Sequence, residues 1–529
     1  MKTVTPEEMR ALERSSEEEG VSTDALMERA GLLASRVAWN RLGDNAYGSQ
    51  VVVLVGSGNN GSDGLVTARH LQGWGARTVA LLLAPRPTDD PKLQPAIATG
   101  VTVVNAADSS HLNDIQSALS EAAMVIDAVL GTGRSRPLQG IYREVLSATN
   151  AEHQRRPNLV TIAMDIPSGV DAETGAADAD ALIADATVTF GYPKVGLFRF
   201  PGAAHVGQIT VADIGVPEHL SADIRQEVVT QSWVQEHLPT RPLGAHKGTF
   251  GRVLALVGSR NYVGAAYLAC MGAARSGSGY VTLAATPSLQ TLVTSKLTES
   301  TYLLLPEAAD GSPTADAALA VRDGLPTCDV LLAGCGLGQH EGTNAVLEQL
   351  LLSNTPLGVP AVLDADALNT LAGIPEWWSR LQSPTVVTPH PGEMSRLLGT
   401  SVKEVEADRI ATAQQAAAQW GVTVLLKGAF TVVASPDGDV RIIPFANPGL
   451  ATAGTGDVLA GIIASLIAQG VQPYDAASLG AYLHAAAGDM VTNDIGNTGL
   501  VASDLLPVLP RAIKAIREGR FTGGIQEIA

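Results

Sequence analysis

Cysteine is scarce. The 529 residues contain three, Cys270, Cys328 and Cys335. They are too few and too scattered for a disulfide framework or a thiolate zinc centre. A reducing compartment, the cytoplasm, is therefore expected. Basic charge is also short, with 35 Lys and Arg against 53 Asp and Glu, a net charge of −18. That balance opposes non-specific nucleic-acid binding, so no nucleic-acid partner is expected. It does not stop a local cluster of backbone N–H groups from holding a phosphate. No apolar run approaches the ~20 residues of a membrane span, so no membrane partner is expected. The most apolar helical segment, Val458 to Ala468, is bounded by Asp457 and Gln469. The start, Met1-Lys2-Thr3-Val4-Thr5-Pro6-Glu7-Glu8, lacks the pattern of a signal peptide. Thr5, Pro6 and Glu8 instead read as an N-cap, a first-turn proline and a capping-box partner. Internal repeats and low-complexity tracts are missing too.

What is present is a globular composition, 46% hydrophobic and 17% charged. The length exceeds what one core needs, so two or more domains are expected. Leu26, Ala30, Leu33 and Val37 recur at helical spacing. Val51 to Val55 reads as a buried strand, followed by a glycine loop, Gly56 to Gly64, and a helix over Leu65 to Gly73. Further strands are read at Val79–Leu83, Met124–Leu130 and Val160–Ile166. The pattern weakens over the proline-bearing stretch Val216 to Leu243. Strands resume at Val253–Gly258, Tyr280–Ala284, Val330–Ala333, Ala361–Leu363, Thr385–Thr388 and Val422–Leu426. Strands alternating with helices predict two parallel α/β domains, here divided as 1–220 and 225–529.

Two segments carry chemistry. Asn447 to Asp457 is a Gly-rich turn running into the apolar helix that starts at Val458. The first N–H groups of a helix have no internal partner, and with the helix dipole they favour phosphate. Gly454 and Gly456 allow close backbone approach. Asp457 then sets a carboxylate beside the bound group, where it can move a proton; the plainer reading is an Asp capping a helix. In the first half, Gly56-x-Gly58-x-x-Gly61 matches the dinucleotide fingerprint. However, the acidic residue expected after the next strand is missing, since Leu83 runs into Ala84-Pro85-Arg86. Asp63 would also repel a pyrophosphate at that helix mouth. Asn60, Asp127 and Ser168 come from three strand-end loops and offer only oxygen ligands, as hard cations prefer. The alternative is that they merely satisfy loop N–H groups. Asp165 ends a strand and can act as a general acid/base, or simply form a turn. His390 between two prolines, Lys427 at a strand end and Lys194 after Pro193 each have a plain reading as well: a rigid turn, an ordinary strand end and a solvated surface charge.

Taken together, the motifs resemble a known family. Gly56–Gly64, Asp127–Gly133, Asp165–Val170 and Gly191-Tyr-Pro-Lys194 are similar to the YjeF N-terminal domain, the NAD(P)H-hydrate epimerase. His246–Gly251, Gly264–Ala266, Gly334–Gly338, Leu363–Leu368, Thr388–Glu393, Lys427–Thr431 and Asn447–Asp457 resemble the ADP/ATP-dependent NAD(P)H-hydrate dehydratases. The resemblance implies an N-terminal Rossmann-like three-layer α/β/α domain and a C-terminal ribokinase-like α/β domain. Asn59, Asn60, Gly61, Ser62, Asp63, Gly131, Thr132, Gly133, Arg134, Ser135, Arg136, Pro137 and Asp165 would contact hydrated NADH or NADPH. Potassium would sit on Asn60, Asp127 and Ser168, and Asp165 would transfer the proton. In the second half, Ala265, Gly336, His390 and Asp457 would contact the hydrate. Lys427, Gly428, Ala429, Phe430, Thr431 and Gly456 would bind ADP, with Mg²⁺ on its phosphates and Asp457 as the catalytic base. ADP is expected over ATP, and a homo-oligomer is expected because this family usually assembles. Ser62 replaces a common glycine, and Cys335 a common proline. A ribokinase-like small-molecule kinase fused to a non-catalytic nucleotide-binding module is the rival reading.

Overall fold

Unbroken apolar runs become strands covered on both faces. Gln50–Val55 (β1) is buried along its whole length. Val51, Val53 and Val55 join one apolar cluster, while Val52 and Leu54 join a second on the other side of the sheet. This alternation places helices on both faces. The computed structural model describes residues 1–133 and 137–529. It separates into two units, Met1–Gln226 with Gly524–Ala529, and Glu227–Gly523.

In the first unit, β1 is joined by β2 (Arg77–Leu82), β3 (Thr102–Asn105), β4 (Met124–Ala128), β5 (Val160–Met164), β6 (Ala186–Phe190) and β7 (Gln208–Ala212). The order is β7-β6-β5-β4-β1-β2-β3, with the C-terminal strand Gln526–Ile528 outside β7. Every pairing is parallel. The order reverses between β1 and β4, and ligands bind at the strand C-termini beside such a reversal. The register Leu54↔Asp127 brings the glycine loop and the Asp127 loop to that crevice.

Two differences from the sequence pattern are physical. The helix after β1 spans Asn59–Trp74 and so absorbs most of the glycine loop. Its first turn is polar and small, and apolar periodicity begins only at Leu65. Residues 524–529 group with the first unit, whereas the pattern runs the second domain to 529. A three-residue edge strand with sequence Gln-Glu-Ile has no apolar run to announce it.

The second unit contains β8 (Gln226–Val228), β9 (Arg252–Leu256), β10 (Tyr280–Ala285), β11 (Thr301–Leu304), β12 (Val330–Ala333), β13 (Ala361–Leu363), β14 (Thr385–Val387), β15 (Thr423–Leu426), β16 (Val432–Ala434) and β17 (Val440–Ile442). Their order is β11-β10-β9-β12-β13-β14-β15-β16-β17-β8. Pairing is parallel from β11 to β15 and antiparallel through β15, β16 and β17. Here the reversal lies between β9 and β12. The helix Thr455–Ala468 packs into the core with every residue buried except Gly456 and Asp457. It crosses the helix Val263–Arg275 so closely that a Cβ on Gly461 would lie 2.1 Å from the Ala269 carbonyl oxygen.

Candidate active sites

Gly454 caps the buried helix with φ of 91°, a left-handed conformation that glycine adopts without strain. The two unburied residues, Gly456 and Asp457, face a cavity of about 460 Å³. His390, Lys427 and Gly428 line it with them, joined by Asp364 and Ala365. Five of the expected residues thus meet in one place. Ala265 and Gly336 pack on each other nearby, since a Cβ on Gly336 would lie 2.5 Å from that of Ala265. Neither lines the cavity, and nor do Ala429, Phe430 and Thr431. The Thr431 hydroxyl instead donates to the Gly428 carbonyl (2.8 Å), bracing the loop.

Asp364 organises this site. Its Oδ1 accepts from Lys427 Nζ at 2.7 Å and from the Thr388 hydroxyl at 2.8 Å. The Cys335 thiol donates to Oδ2 at 3.6 Å. Burial alone would lower the Lys427 ammonium, but Asp364 and Glu393 outweigh it and hold its pKa up. The ligand atoms of Cys335, Asp364 and Asp457 lie within 4.8 Å of one another. Burial, then the negative charge of Asp364, pushes the Asp457 carboxyl up to about 7, against Lys427 and the Cys335 thiol. A carboxyl poised there can accept a proton near neutral pH. His390 Nδ1 accepts from the backbone N–H groups of Gly392 and Glu393 (3.0 and 3.4 Å). The imidazole is therefore a helix cap as well as a cavity wall, with Nε2 left to carry the ring hydrogen. Burial lowers its pKa and keeps it neutral.

In the first unit, Asp165 follows β5 with φ of 66°, strained for a non-glycine residue. Its Oδ1 accepts from Lys194 Nζ at 2.5 Å, the Thr189 hydroxyl at 3.2 Å and the Phe190 N–H at 3.3 Å. Lys194 is 1% exposed, which corrects its reading as a solvated surface charge. Asp63 is buried, and its Oδ1 has no partner among the described residues. Burial, then Asp165 and Glu13, pushes this carboxyl well above the ordinary range. Ser168 donates to Asp127 from its hydroxyl to Oδ1 (2.7 Å) and from its N–H to Oδ2 (2.7 Å). Asn60 Nδ2 donates to the Leu130 carbonyl at 3.1 Å, and the Leu130 N–H to the Ser168 hydroxyl at 2.8 Å. Asn60, Asp127 and Ser168 thus meet through one loop. Burial pushes Asp127 up to about 6. Asn59 is exposed at the helix start; Gly131 packs on Asn60, and Thr132 and Gly133 follow it. Pro137 is exposed, while Arg134, Ser135 and Arg136 lie outside the described residues.

Backbone strain marks both places. Among the described residues four non-glycines have positive φ, and Asp165, Ala365 and Phe430 are three of them. Such conformations cluster where structure serves function.

Both halves match known families. Residues 253–511 match the family described as NAD(P)H-hydrate dehydratase, and residues 23–196 the family described as YjeF-related protein N-terminus. The bifunctional NAD(P)H-hydrate repair enzyme of Moorella thermoacetica is 41% identical over 526 residues, covering 98% of this chain and 98% of that protein. The chain belongs to the bifunctional NAD(P)H-hydrate repair family. The Escherichia coli relative of the same name is 34% identical, covering 93% of this chain and 90% of its own length. The crystallised ADP/ATP-dependent NAD(P)H-hydrate dehydratase of Bacillus subtilis, obtained with ATP and Mg²⁺, is 33% identical over 55% of this chain and 98% of that one, with a TM-score of 0.47.

Membership across both halves supports the repair reading over the kinase-plus-binding-module rival. The repair family's expected architecture, Rossmann-like then ribokinase-like, is the one found. Four contributors carry no role in the sequence reading: Asp364, Thr388, Glu13 and Arg86. Arg86 replaces the missing acid after β2 and donates to the carbonyls of Gly56 (2.9 Å) and Gly58 (3.1 Å) and to Asp90 (2.8 Å). A basic residue where the fingerprint wants an acid was its only available signal.

Proposed function

We infer that the chain repairs hydrated NADH and NADPH. The first unit interconverts the R and S hydrates, and the second converts the S hydrate back to NAD(P)H with ADP, releasing AMP and phosphate. The observation that carries this is the Asp457 carboxyl beside the open amide end of a buried helix. Hydroxide leaves poorly at neutral pH, whereas phosphate leaves well. Asp457 accepts the C6 hydroxyl proton as the phosphoryl group arrives. The amides at Gly456 and the Lys427 ammonium stabilise the moving charge, the main need in phosphoryl transfer. Phosphate then leaves from C6 as the C5 proton passes to it or to water, and the C5–C6 double bond is restored. Asp364 and Asp457 offer oxygens within 4.8 Å of one another, a donor set that fits Mg²⁺ riding on the nucleotide phosphates. When bound, that ion neutralises phosphate charge. The test is recovery of the near-ultraviolet absorbance of reduced nicotinamide when hydrated NADH and ADP are supplied. Phosphorylated product without recovery would contradict it.

The same base predicts a pH dependence. Asp457 works ionised, so kcat/KM for S-hydrate dehydration rises with pH and levels off above about 7. A profile already flat at pH 5 would remove Asp457 from the role.

Potassium is expected at Asp127, Ser168 and Asn60. These residues fit, because a fully buried carboxylate has only neutral donors around it, and the Leu130 carbonyl lies at the same place. The folded Asp127 pKa is raised above its unfolded value, so between about pH 4 and 6 the folded unit holds the extra proton and loses stability as pH rises. A bound cation reverses that loss. Replacing sodium by potassium should therefore raise the melting temperature at pH 7.5, by about 4 °C per kcal/mol of binding free energy. The gain should vanish below pH 5 and in Asp127→Asn. Equal melting in both salts would contradict a potassium site. No helix among the described residues is long and apolar enough to cross a membrane. A cytoplasmic homo-oligomer completes this reading, with sedimentation of the full chain as its check.

A further inference from the structure

The N-terminal helix Pro6–Glu18 has no place in the motifs above, yet three contacts set it against the first unit's site. The Val4 N–H donates to the Pro193 carbonyl and the Val195 N–H to the Val4 carbonyl, each at 3.0 Å, clasping the chain on both sides of Lys194. Arg10 Nη1 donates to the Thr132 carbonyl at 3.2 Å, in the loop after β4. Met9 is buried, and a Cβ on Gly191 would lie 2.9 Å from its Cε. Glu13 follows Met9 by four residues and Arg10 by three, so it shares their helix face. It is half-buried. The charged groups around it are Lys194 and Asp165 from the strand-end loops, Asp63 from the helix Asn59–Trp74, and Arg10 and Arg14 from its own helix. Burial pushes the Glu13 carboxyl up, Lys194 pulls it back, and Asp165 adds to the rise. A carboxyl held up in this way keeps its proton to a higher pH than a free glutamic acid does and can act as a general acid.

Inversion at C6 needs proton handling on both faces of the nicotinamide ring. Oxygen leaves from one face and returns on the other, and a single carboxyl on a fixed strand end serves one face. Asp165 is tied by Oδ1 to Lys194. Asp63 is buried.

We propose that Glu13, carried by the N-terminal helix, is a second proton-transfer group of the epimerase site, acting on the ring face opposite Asp165. The proposal rests on the epimerase reading above. In one direction the Glu13 carboxyl gives its proton to the C6 hydroxyl as the C6–O bond breaks and its electron pair leaves with water. The ring nitrogen lone pair forms the C6=N bond. Water then adds to the other face and its proton passes to the Asp165 carboxylate. The reverse direction exchanges the two roles, and nothing is oxidised or reduced.

The experiment uses the full chain, with R-to-S conversion followed by proton NMR without ADP and S-hydrate dehydration measured separately. Glu13→Gln should lower R-to-S conversion by about 100-fold or more and remove one limb of its pH profile, while dehydration stays at the wild-type rate. Glu13→Asp should keep conversion within about tenfold and move that limb. Wild-type conversion and an unchanged pH profile in Glu13→Gln would overturn the proposal. If Glu13→Gln fails to fold, as judged by loss of cooperative melting, Glu13→Asp decides: a moved limb supports the role and an unmoved one overturns it. A wild-type chain that converts no R hydrate would instead overturn the epimerase reading itself.

Discussion

Asp457→Asn should abolish nucleotide-dependent rescue of the S hydrate, with kcat lowered on the order of 10³-fold or more. The amide keeps the shape of the carboxylate and cannot take the hydroxyl proton. ADP should still bind without Mg²⁺, because Lys427 and the Gly456 amide remain, while any gain in affinity from Mg²⁺ should shrink with one of its two acidic donors lost. R-to-S conversion belongs to the other unit and should be untouched. Stability should move the other way. The folded Asp457 pKa is raised from 3.8 to about 7, so the folded chain holds a proton that the unfolded chain loses between those values. Wild-type stability therefore falls as pH rises through that window, and the loss is complete above about 7. The Asn variant carries no such penalty. It should melt above wild type at pH 8 and level with it near pH 4. Loss of activity with gain of stability is the signature of a group strained for chemistry. An inactive variant that is also less stable at pH 8 would point to a structural role.

Asp165→Asn should stop R-to-S conversion by a similar factor, about 10³-fold, while S-hydrate dehydration continues. A racemic hydrate supplied with ADP would then give back only its S fraction, apart from slow spontaneous interconversion. The ion pair adds a second consequence. Lys194 is buried against Asp165, and the amide takes away that ammonium's nearest counter-charge, leaving neutral acceptors around it such as the Phe190 carbonyl (2.9 Å) and the Thr189 hydroxyl (3.4 Å). Breaking one side of a buried pair costs on the order of 3 kcal/mol, so the first unit should melt several degrees lower. The double variant Asp165→Asn/Lys194→Met should regain stability without regaining conversion. Full conversion by Asp165→Asn would remove this residue from the role and leave Glu13 without its partner.

Much of both sites could be read before folding, for a definite reason. A glycine turn that opens a helix is a local device, and Asn447 to Asp457 carries it in one stretch. The β1 loop is likewise local, so Asn60 and Asp127 stand out at strand ends. What stayed hidden lies in pairings between distant residues. Asp364 and Lys427 meet across 63 positions, and Asp165 and Lys194 across 29. Without those partners, Lys194 reads as an ordinary surface charge and Asp364 carries no role. Strands β3, β6, β7, β8, β11, β16 and β17 have no counterpart in the sequence pattern; in β6 (Ala-Thr-Val-Thr-Phe) and β7 (Gln-Ile-Thr-Val-Ala) threonines break the apolar run that marks the others. Glu13 was missed because its helix announces itself only by caps, and nothing local says what that helix covers.

The most direct test follows the oxygen atom. An S hydrate carrying a heavy-oxygen label in its C6 hydroxyl is converted with unlabelled ADP and Mg²⁺, and the released phosphate and water are analysed. Phosphoryl transfer to that hydroxyl predicts the label in phosphate, one labelled oxygen for each AMP and each NADH formed. Label in water with unlabelled phosphate would mean that hydroxide leaves without ever meeting the nucleotide, and Asp457 at the glycine turn would have lost its task.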